Sequence, residues 1–193
     1  YYHEGKTAPI PQDMTNYAYA MKIPAGIRKT GTWVVTYSGV IAPPVSQNKF
    51  FLDRQGNLSI FNEKTGLIIS GANSKHQPEL ATFTEVIGTD SIHMPVSSYF
   101  KMGDKSDKLA LAYNAFFATI DVPKPAAGRL AFDIATTYKY GEAVSELNLQ
   151  LVLKAGLVLE TGSGKKIKLG EDKIEWSDVE LGGWIKHNRW TMQ

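Results

Sequence analysis

The chain has 193 residues, of which 43% are hydrophobic and 21% charged, a balance typical of a globular protein and not of a disordered one. Its net charge of +2 is too small to indicate nucleic acid or an anionic membrane surface as a partner. Cysteine is absent, which excludes disulfides, thiolate zinc sites and cysteine nucleophiles. No apolar run approaches the roughly 20 residues that a membrane-spanning helix needs.

The first 13 residues include Pro9 and Pro11 and predict an extended arm or linker, so residues 14–193 are expected to form a single domain. Alternating or β-branched segments then predict strands, in chain order, at residues 16–23, 30–42, 50–53, 57–61, 66–70, 81–87, 108–122, 129–140, 145–153, 156–160, 165–169, 174–176 and 183–192. Residues 88–106 are expected to form a long loop with one strand inside it.

Residues 108–122 have a composition that suits either a helix or a strand. Alternating apolar positions on both sides of Asn114 favour one strand with a bulge near that residue. About a dozen strands at regular spacing, without a helix, predict a large antiparallel β-sandwich, of the kind called a supersandwich.

A polar cluster follows the strand at residues 66–70 and is the first candidate site. Its side chains can donate protons, accept them and bind hydroxyl groups: Asn73, Lys75, His76, Gln77 and Glu79. His76 is the natural acid–base group, since only its unperturbed pKa lies near neutrality. The alternative is a solvated loop closed by Pro78.

Metal and cofactor chemistry receive little support from the sequence. None of the four histidines has the close partner spacing of a zinc motif. No phosphate-binding loop, nucleophile elbow or dinucleotide fingerprint is present. We therefore expect no metal or cofactor, with calcium left open because loop carboxylates such as Asp104 and Asp107 could bind it.

Aromatic residues provide a second candidate site, because flat rings stack on sugars and also fill ordinary cores. The candidates are Trp33, Trp176, Trp184, Trp190, Tyr17, Tyr19, Tyr37 and Tyr99. Trp184 and Trp190 flank the polar stretch 186–189, where an exposed ring is more plausible, so they are predicted to bind substrate.

The segment 66–83, GLIISGANSKHQPELATF, resembles the start of the β-sandwich domain in heparinase II/III-like polysaccharide lyases, and the tail VELGGWIKHNRWTMQ resembles the late strands of that domain. In that family the sandwich packs on a helical toroid that supplies a catalytic tyrosine. The resemblance implies that His76 lies at the cleft, with Lys75 and Asn73 neutralising a uronate carboxylate. The family loop usually carries two histidines and an aspartate, whereas this chain has only His76.

Three hypotheses follow for the function. The first is a carbohydrate-associated sandwich domain of a larger, secreted or periplasmic lyase-like protein, inert without its helical domain; the chain begins at Tyr1 and ends in a predicted strand, as an excised or mature piece would. The second is a self-contained carbohydrate-binding module, which requires a solvent-facing Trp184 or Trp190. The third is a structural or adhesion domain that binds no small ligand.

Overall fold

The computed structural model describes residues 13–42, 54–71, 80–88, 91–126, 128–141, 145–172 and 174–193. These residues form an all-β protein, as the sequence predicts. The first eight strands are β1 (Asn16–Ala20), β2 (Ala25–Thr30), β3 (Trp33–Ser38), β4 (Asn57–Asn62), β5 (Gly66–Ile69), β6 (Phe83–Ile87), β7 (Ser91–His93) and β8 (Ser97–Met102). The others are β9 (Ser106–Ala112), β10 (Phe116–Pro123), β11 (Asp133–Tyr138), β12 (Glu146–Leu149), β13 (Val158–Thr161), β14 (Lys166–Lys168), β15 (Ile185–His187) and β16 (Trp190–Met192). One helical turn, α1 (Asp178–Leu181), precedes β15.

The strands form four separate antiparallel sheets, so the prediction of one large sandwich is wrong. Sheet I contains β1 to β5 in order, sheet II has the order β12-β6-β7, sheet III runs from β8 to β11, and sheet IV has the order β14-β13-β15-β16. The sheets are small and lie in a ring that resembles a four-bladed propeller. Strand patterns and turn spacing are the same in a sandwich and in such a ring, because both consist of short antiparallel meanders.

Several predicted strands also divide differently. Residues 108–122 form two strands, β9 and β10, joined by a turn at Tyr113–Ala115, and not one bulged strand. The predicted loop at 88–106 contains two strands, β7 and β8. The hairpin predicted around Gly162-Ser163-Gly164 is confirmed by the pairing of β13 with β14. The strand predicted at residues 50–53 lies outside the described residues.

The sheets share one buried core, to which sheets I, II and III contribute side chains such as Val35, Phe83 and Ile120, and sheet IV contributes Trp190. Sheets I and III meet where the Phe100 ring stacks on Tyr37, with ring centroids 4.9 Å apart. Gly26 leaves room for this ring, since a Cβ atom there would lie 2.5 Å from Phe100. The inward face of sheet III is thereby fixed, and its other face is directed outward.

Candidate functional site: the outward face of sheet III

Alternation along β8, β9 and β10 of sheet III separates a more buried face from a more exposed one. In β9, Leu109 and Leu111 are buried and Lys108 is exposed; in β10, Ile120 is buried and Phe117 is exposed. The register aligns the outward residues into rows: Ser97–Ala112–Phe117–Thr137, then Tyr99–Ala110–Thr119–Ala135, then Lys101–Lys108–Asp121–Asp133. The first two rows combine small or hydroxyl-bearing side chains with one aromatic ring each. We call these three rows the aromatic face.

The two rings on this face are exposed to solvent: Tyr99 is 58% exposed and Phe117 is 49% exposed. Tyr99 lies on β8 and Phe117 lies on β10, which is two strands away, and their rows are offset by two residues along the strands. With strands about 4.8 Å apart and a rise of about 3.4 Å per residue, their Cα atoms are separated by about 12 Å. Ala110 and Ala112 lie between them and form a low floor. The arrangement is a shallow surface with an aromatic side chain on either side.

Charged side chains line one end of the aromatic face. Lys108 Nζ lies 3.8 Å from Asp121 Oδ2, and Lys101 lies directly opposite Lys108 across the β8–β9 ladder. At the other end, Lys139 Nζ lies 4.8 Å from the centroid of the Phe117 ring and also donates a hydrogen bond to the carbonyl of Tyr113. The face therefore offers aromatic, hydroxyl and charged groups to a ligand.

A buried ion pair holds the aromatic face from below. Asp107 is fully buried at the start of β9, and its two carboxylate oxygens accept hydrogen bonds of 2.6 Å from Nε and Nη2 of Arg28 on β2. Arg28 Nη2 also donates to the carbonyl of Gly103 at 2.8 Å. The hydrogen bond that Arg28 donates to Asp107 is the main cause that raises the pKa of Arg28. Burial, and then the charge of Asp107, raises the pKa of the neighbouring Tyr37 phenol.

A second buried carboxylate, Glu85 on β6, joins sheet II to sheet III. Its Oε2 accepts a hydrogen bond from the backbone N–H of Asn114 at 3.0 Å. Its Oε1 accepts one from the N–H of Ala115 at 3.0 Å and one from the Ser145 hydroxyl at 2.9 Å. Every one of these partners is a neutral donor. The β9–β10 turn, which orients both strands of the aromatic face, is thus fixed by Glu85.

The polar cluster at Asn73, Lys75, His76, Gln77 and Glu79 lies outside the described residues, and its predicted catalytic and binding roles stay predictions. Trp184 is half-buried, and Trp190 is only 8% exposed. The Trp190 ring lies edge-on to His187, with centroids 5.7 Å apart. Their predicted role in substrate binding also stays a prediction, but Trp190 has little surface to offer.

The described histidines have structural partners. His187 is buried; its Nε2 accepts a hydrogen bond from the N–H of Lys154 at 2.8 Å, and its Nδ1 lies 3.2 Å from the carbonyl of Val158, so we assign the neutral Nδ1–H tautomer. Asn114 Nδ2 lies 3.2 Å from Nδ1 of His93. Among the described residues no group of three or more His, Cys, Asp or Glu side chains could hold a metal ion.

Of the two loop carboxylates considered for calcium, Asp107 accepts hydrogen bonds from Arg28 through both oxygens, whereas Asp104 is exposed.

Sequence reasoning included Tyr99 among the aromatic candidates but missed Phe117. The signal was present in the alternation of Phe117, Thr119 and Asp121, which marks one strand face. Which face points outward depends on the packing of sheet III on sheet I.

Comparison with known proteins gives no match: no family model, no curated protein and no solved structure is similar to the chain. The resemblance to heparinase II/III-like lyases therefore stays a prediction. Within the described ranges, no helix is long and apolar enough to cross a membrane, since α1 is a single turn.

Proposed function

We propose that this chain is a carbohydrate-binding domain that holds an extended polysaccharide on the aromatic face of sheet III. The observation that carries the proposal is the pair of exposed rings, Tyr99 and Phe117, standing on either side of a floor of small residues. An aromatic ring packs its flat face against the C–H face of a pyranose and excludes water from both. Two such rings on a rigid sheet can hold a chain at two points.

The spacing of the rings suits a polysaccharide better than a single sugar. A separation of about 12 Å between their Cα atoms is comparable to the length of a disaccharide unit, so one chain can contact both rings. Ser97, Thr119 and Thr137 place hydroxyl groups in the same rows, where they can exchange hydrogen bonds with sugar hydroxyls. Lys101 adds a cation at one end.

The rigid support below the face favours binding as well. Phe100 stacks on Tyr37, and Asp107 pairs with Arg28, directly beneath the outward residues of β8 and β9. A surface that is already ordered loses little conformational entropy when a ligand binds. Participation in a larger secreted or periplasmic lyase-like protein, together with a helical domain, is compatible with this role and stays a prediction.

Affinity electrophoresis tests the proposal. The purified chain would be run through gels that contain hydroxyethyl cellulose, xylan, alginate or chondroitin sulfate, so that neutral and uronate-containing chains are both sampled. At least one polysaccharide should retard the chain. Tyr99→Ala and Phe117→Ala should each weaken this binding about 3- to 10-fold, as expected for the loss of one stacking contact.

Tyr19→Ala is the matched control, because Tyr19 is 53% exposed but lies on β1 of sheet I. It should migrate like the unaltered chain in every gel. The proposal fails if no polysaccharide retards the chain, which would favour the structural or adhesion role, or if Tyr19→Ala weakens retardation as much as Tyr99→Ala does.

A further inference from the structure

One edge of sheet III is open. The outermost strand, β11, pairs with β10 on one side, and no described strand lies on its other side. Every residue of β11 is exposed except Tyr138, which is half-buried. An edge strand of this kind presents a row of unpaired backbone N–H and C=O groups, with which a further strand can pair.

The sequence of β11 does not protect this edge. Proteins commonly block an edge strand with lysine or proline, and β11 contains neither. Ile134, Thr136 and Thr137 are β-branched and favour an extended backbone. The opposite edge of sheet III differs, since β8 carries Lys101 and lies against β1 of sheet I.

The backbone groups that point to the open edge can be assigned from the ladder. The N–H of Lys139 donates to the carbonyl of Ala115 at 2.8 Å, and the direction of these groups alternates along an antiparallel strand. Residues 133, 135 and 137 therefore point their N–H and C=O groups toward β10. Ile134, Thr136 and Tyr138 point theirs toward the edge, in an array that is symmetric about Thr136.

A second copy of the same strand satisfies this array. If two β11 strands run antiparallel about a two-fold axis at Thr136, this residue pairs with the partner's Thr136, and Ile134 pairs with the partner's Tyr138. Every edge-directed N–H and C=O group of the three residues then has a partner. The same register places Asp133 directly opposite the partner's Lys139.

Charge favours the same register. Asp133 lies directly opposite Asp121 across the β10–β11 ladder, and like charges in this position destabilise a sheet. Asp121 has Lys108 at 3.8 Å, whereas Asp133 forms no ion pair with a described residue. The partner's Lys139 supplies a cation to Asp133, and the symmetry repeats this pair. An ammonium group has three donors, so Lys139 can keep its hydrogen bond to the Tyr113 carbonyl.

We propose that two copies of this chain associate through β11 and join their sheets III into one continuous antiparallel sheet. Residues that are directly opposite in a ladder point to the same side, so the two aromatic faces lie on one side of the joined sheet. The proposal does not rest on carbohydrate binding. A monomer can bind a polysaccharide, and a dimer can form without binding one.

Sedimentation velocity between about 1 μM and about 1 mM tests the association. One strand pair is a small interface, so we expect a reversible dimer with a Kd of about 10–100 μM. Thr136→Pro removes the central N–H donor, which is not used in the ladder with β10, and should leave a folded monomer. Thr136→Val is the matched control, because it keeps this N–H, and should dimerise like the unaltered chain.

A charge variant tests the register. Asp133→Lys places a lysine opposite the partner's Lys139 and should weaken the dimer about 10-fold. It also removes the repulsion from Asp121 within one chain, so a weaker dimer would not reflect a damaged sheet. Far-UV circular dichroism of every variant checks that the fold is kept.

Cross-linking tests the position of the two-fold axis. The chain has no cysteine, so one introduced residue reports on a single contact. The paired Thr136 Cα atoms should lie about 5.5 Å apart, within the range that a disulfide spans. Mild oxidation of Thr136→Cys should therefore give a covalent dimer. Thr191→Cys, at an exposed threonine on β16 of sheet IV, is the control and should stay mostly monomeric.

Three results would each overturn the proposal. The first is an unaltered chain that stays monomeric at about 1 mM. The second is a natively folded Thr136→Pro, or Asp133→Lys if the proline variant does not fold, that dimerises as tightly as the unaltered chain. The third is oxidation of Thr191→Cys to a covalent dimer as fast as Thr136→Cys, which would place the contact elsewhere.

Discussion

Asp107 and Glu85 both have fully buried carboxyl groups, but the protein provides hydrogen-bond partners to them in different ways. Asp107 faces a cation, the guanidinium of Arg28, through two hydrogen bonds of 2.6 Å. Glu85 has no ionic partner among the described residues and is held by two backbone N–H groups and one hydroxyl. Asp107 supports the aromatic face at the start of β9, and Glu85 fixes the β9–β10 turn of the same sheet.

The two arrangements differ in which groups stay buried without a partner after one residue of the arrangement is substituted. In an ion pair, loss of one charge leaves the other buried and unpaired, at a cost far above the net value of the pair. In the Glu85 arrangement, each donor is neutral and its loss removes one hydrogen bond at a time. A buried carboxylate held by neutral donors should therefore tolerate substitution of its partners better than one held by a cation.

The largest effect is expected for Asp107→Ala, which leaves the Arg28 guanidinium buried beside the Gly103 carbonyl alone. We expect a loss of about 3–5 kcal/mol in the free energy of unfolding, measured by urea denaturation. The double variant Arg28→Met, Asp107→Leu removes both charges and should recover most of that loss. Equal instability of the double and single variants would show that the pair acts through geometry and not through its charges.

A smaller effect is expected for Glu85→Gln. The amide nitrogen of glutamine would face a donor where a carboxylate oxygen now accepts, so about 1–3 kcal/mol of stability should be lost in the same urea experiment. Glu146→Gln, at an exposed position at the start of β12, is the control and should stay within about 0.5 kcal/mol. If Glu85→Gln were as stable as the control, the three hydrogen bonds would contribute nothing net.

Each buried carboxylate also has a buried tyrosine beside it. Burial is the main cause that raises the pKa of Tyr37 and of Tyr113, with charge contributions from Asp107 and Glu85 respectively. A raised folded-state pKa means that stability is fully present below pH 10, the ordinary pKa, and is lost as pH rises above it. The alkaline limb should steepen by about 1.4 kcal/mol per pH unit for each phenol.

Tyr37→Phe and Tyr113→Phe should each flatten this limb when the unfolding free energy is measured between neutral and strongly alkaline pH. Tyr113→Phe also loses the 2.9 Å hydrogen bond to the carbonyl of Phe83, so it should be less stable at neutral pH as well. An unchanged alkaline limb in both variants would mean that these phenols ionise normally in the folded protein.

The smallest effect is expected for an exposed carboxylate, Glu180, which serves as the comparison for the buried Asp107 and Glu85. The Glu180 side chain pairs with Lys165 and accepts a 2.8 Å hydrogen bond from the Ser177 N–H, which lower its pKa from 4.5 to about 2. Its stabilising contribution is present above pH 4.5 and is lost as pH falls toward 2. Salt screens an exposed pair, so high ionic strength should bring this pKa back toward its ordinary value.

NMR titration of the Glu180 carboxyl carbon measures this pKa directly. Lys165→Met should raise it, because the hydrogen bond from Lys165 is the largest cause of the shift. Lys166→Met, which removes the cation that pairs with Glu160 instead, should leave it in place. A Glu180 pKa that is normal in the unaltered chain would show that the Lys165 contact does not persist in solution.

The sequence predicts the all-β class, because alternation such as Leu109, Leu111 and then Phe117, Thr119 depends only on the local two-residue period. It misses β2 and predicts a strand at residues 174–176 that the structure does not form. It does not predict where one sheet ends and the next begins. The turn at Tyr113–Ala115 is stabilised by Glu85, which is about 30 residues away, and no local pattern records that contact. The prediction of one sandwich is wrong for the same reason, since sheet assignment depends on long-range pairing.

Only part of the candidate site can be predicted from the sequence. Tyr99 was among the aromatic candidates, but the sequence offers no reason to prefer it to Tyr37, which is buried in the core. The sequence also makes Asp107 a candidate calcium ligand. The local sequence around an aspartate is the same whether its carboxylate binds a metal ion or pairs with a distant arginine such as Arg28. Which of these holds is decided by the packing of sheet I on sheet III.

Alternation along β8 places two consecutive aromatic residues on opposite sides of one strand: Phe100 points into the core and Tyr99 points to solvent. A one-residue slip of β8 would exchange these two side chains and disrupt both surfaces. The close packing of Phe100 against Gly26 therefore also fixes the position of Tyr99. The outward residues at positions 97, 99, 117 and 119 are not part of the buried core. Sheet III is therefore a suitable starting point for engineering, because residues 97, 99, 117 and 119 can be varied to change ligand preference while the core sequence stays constant.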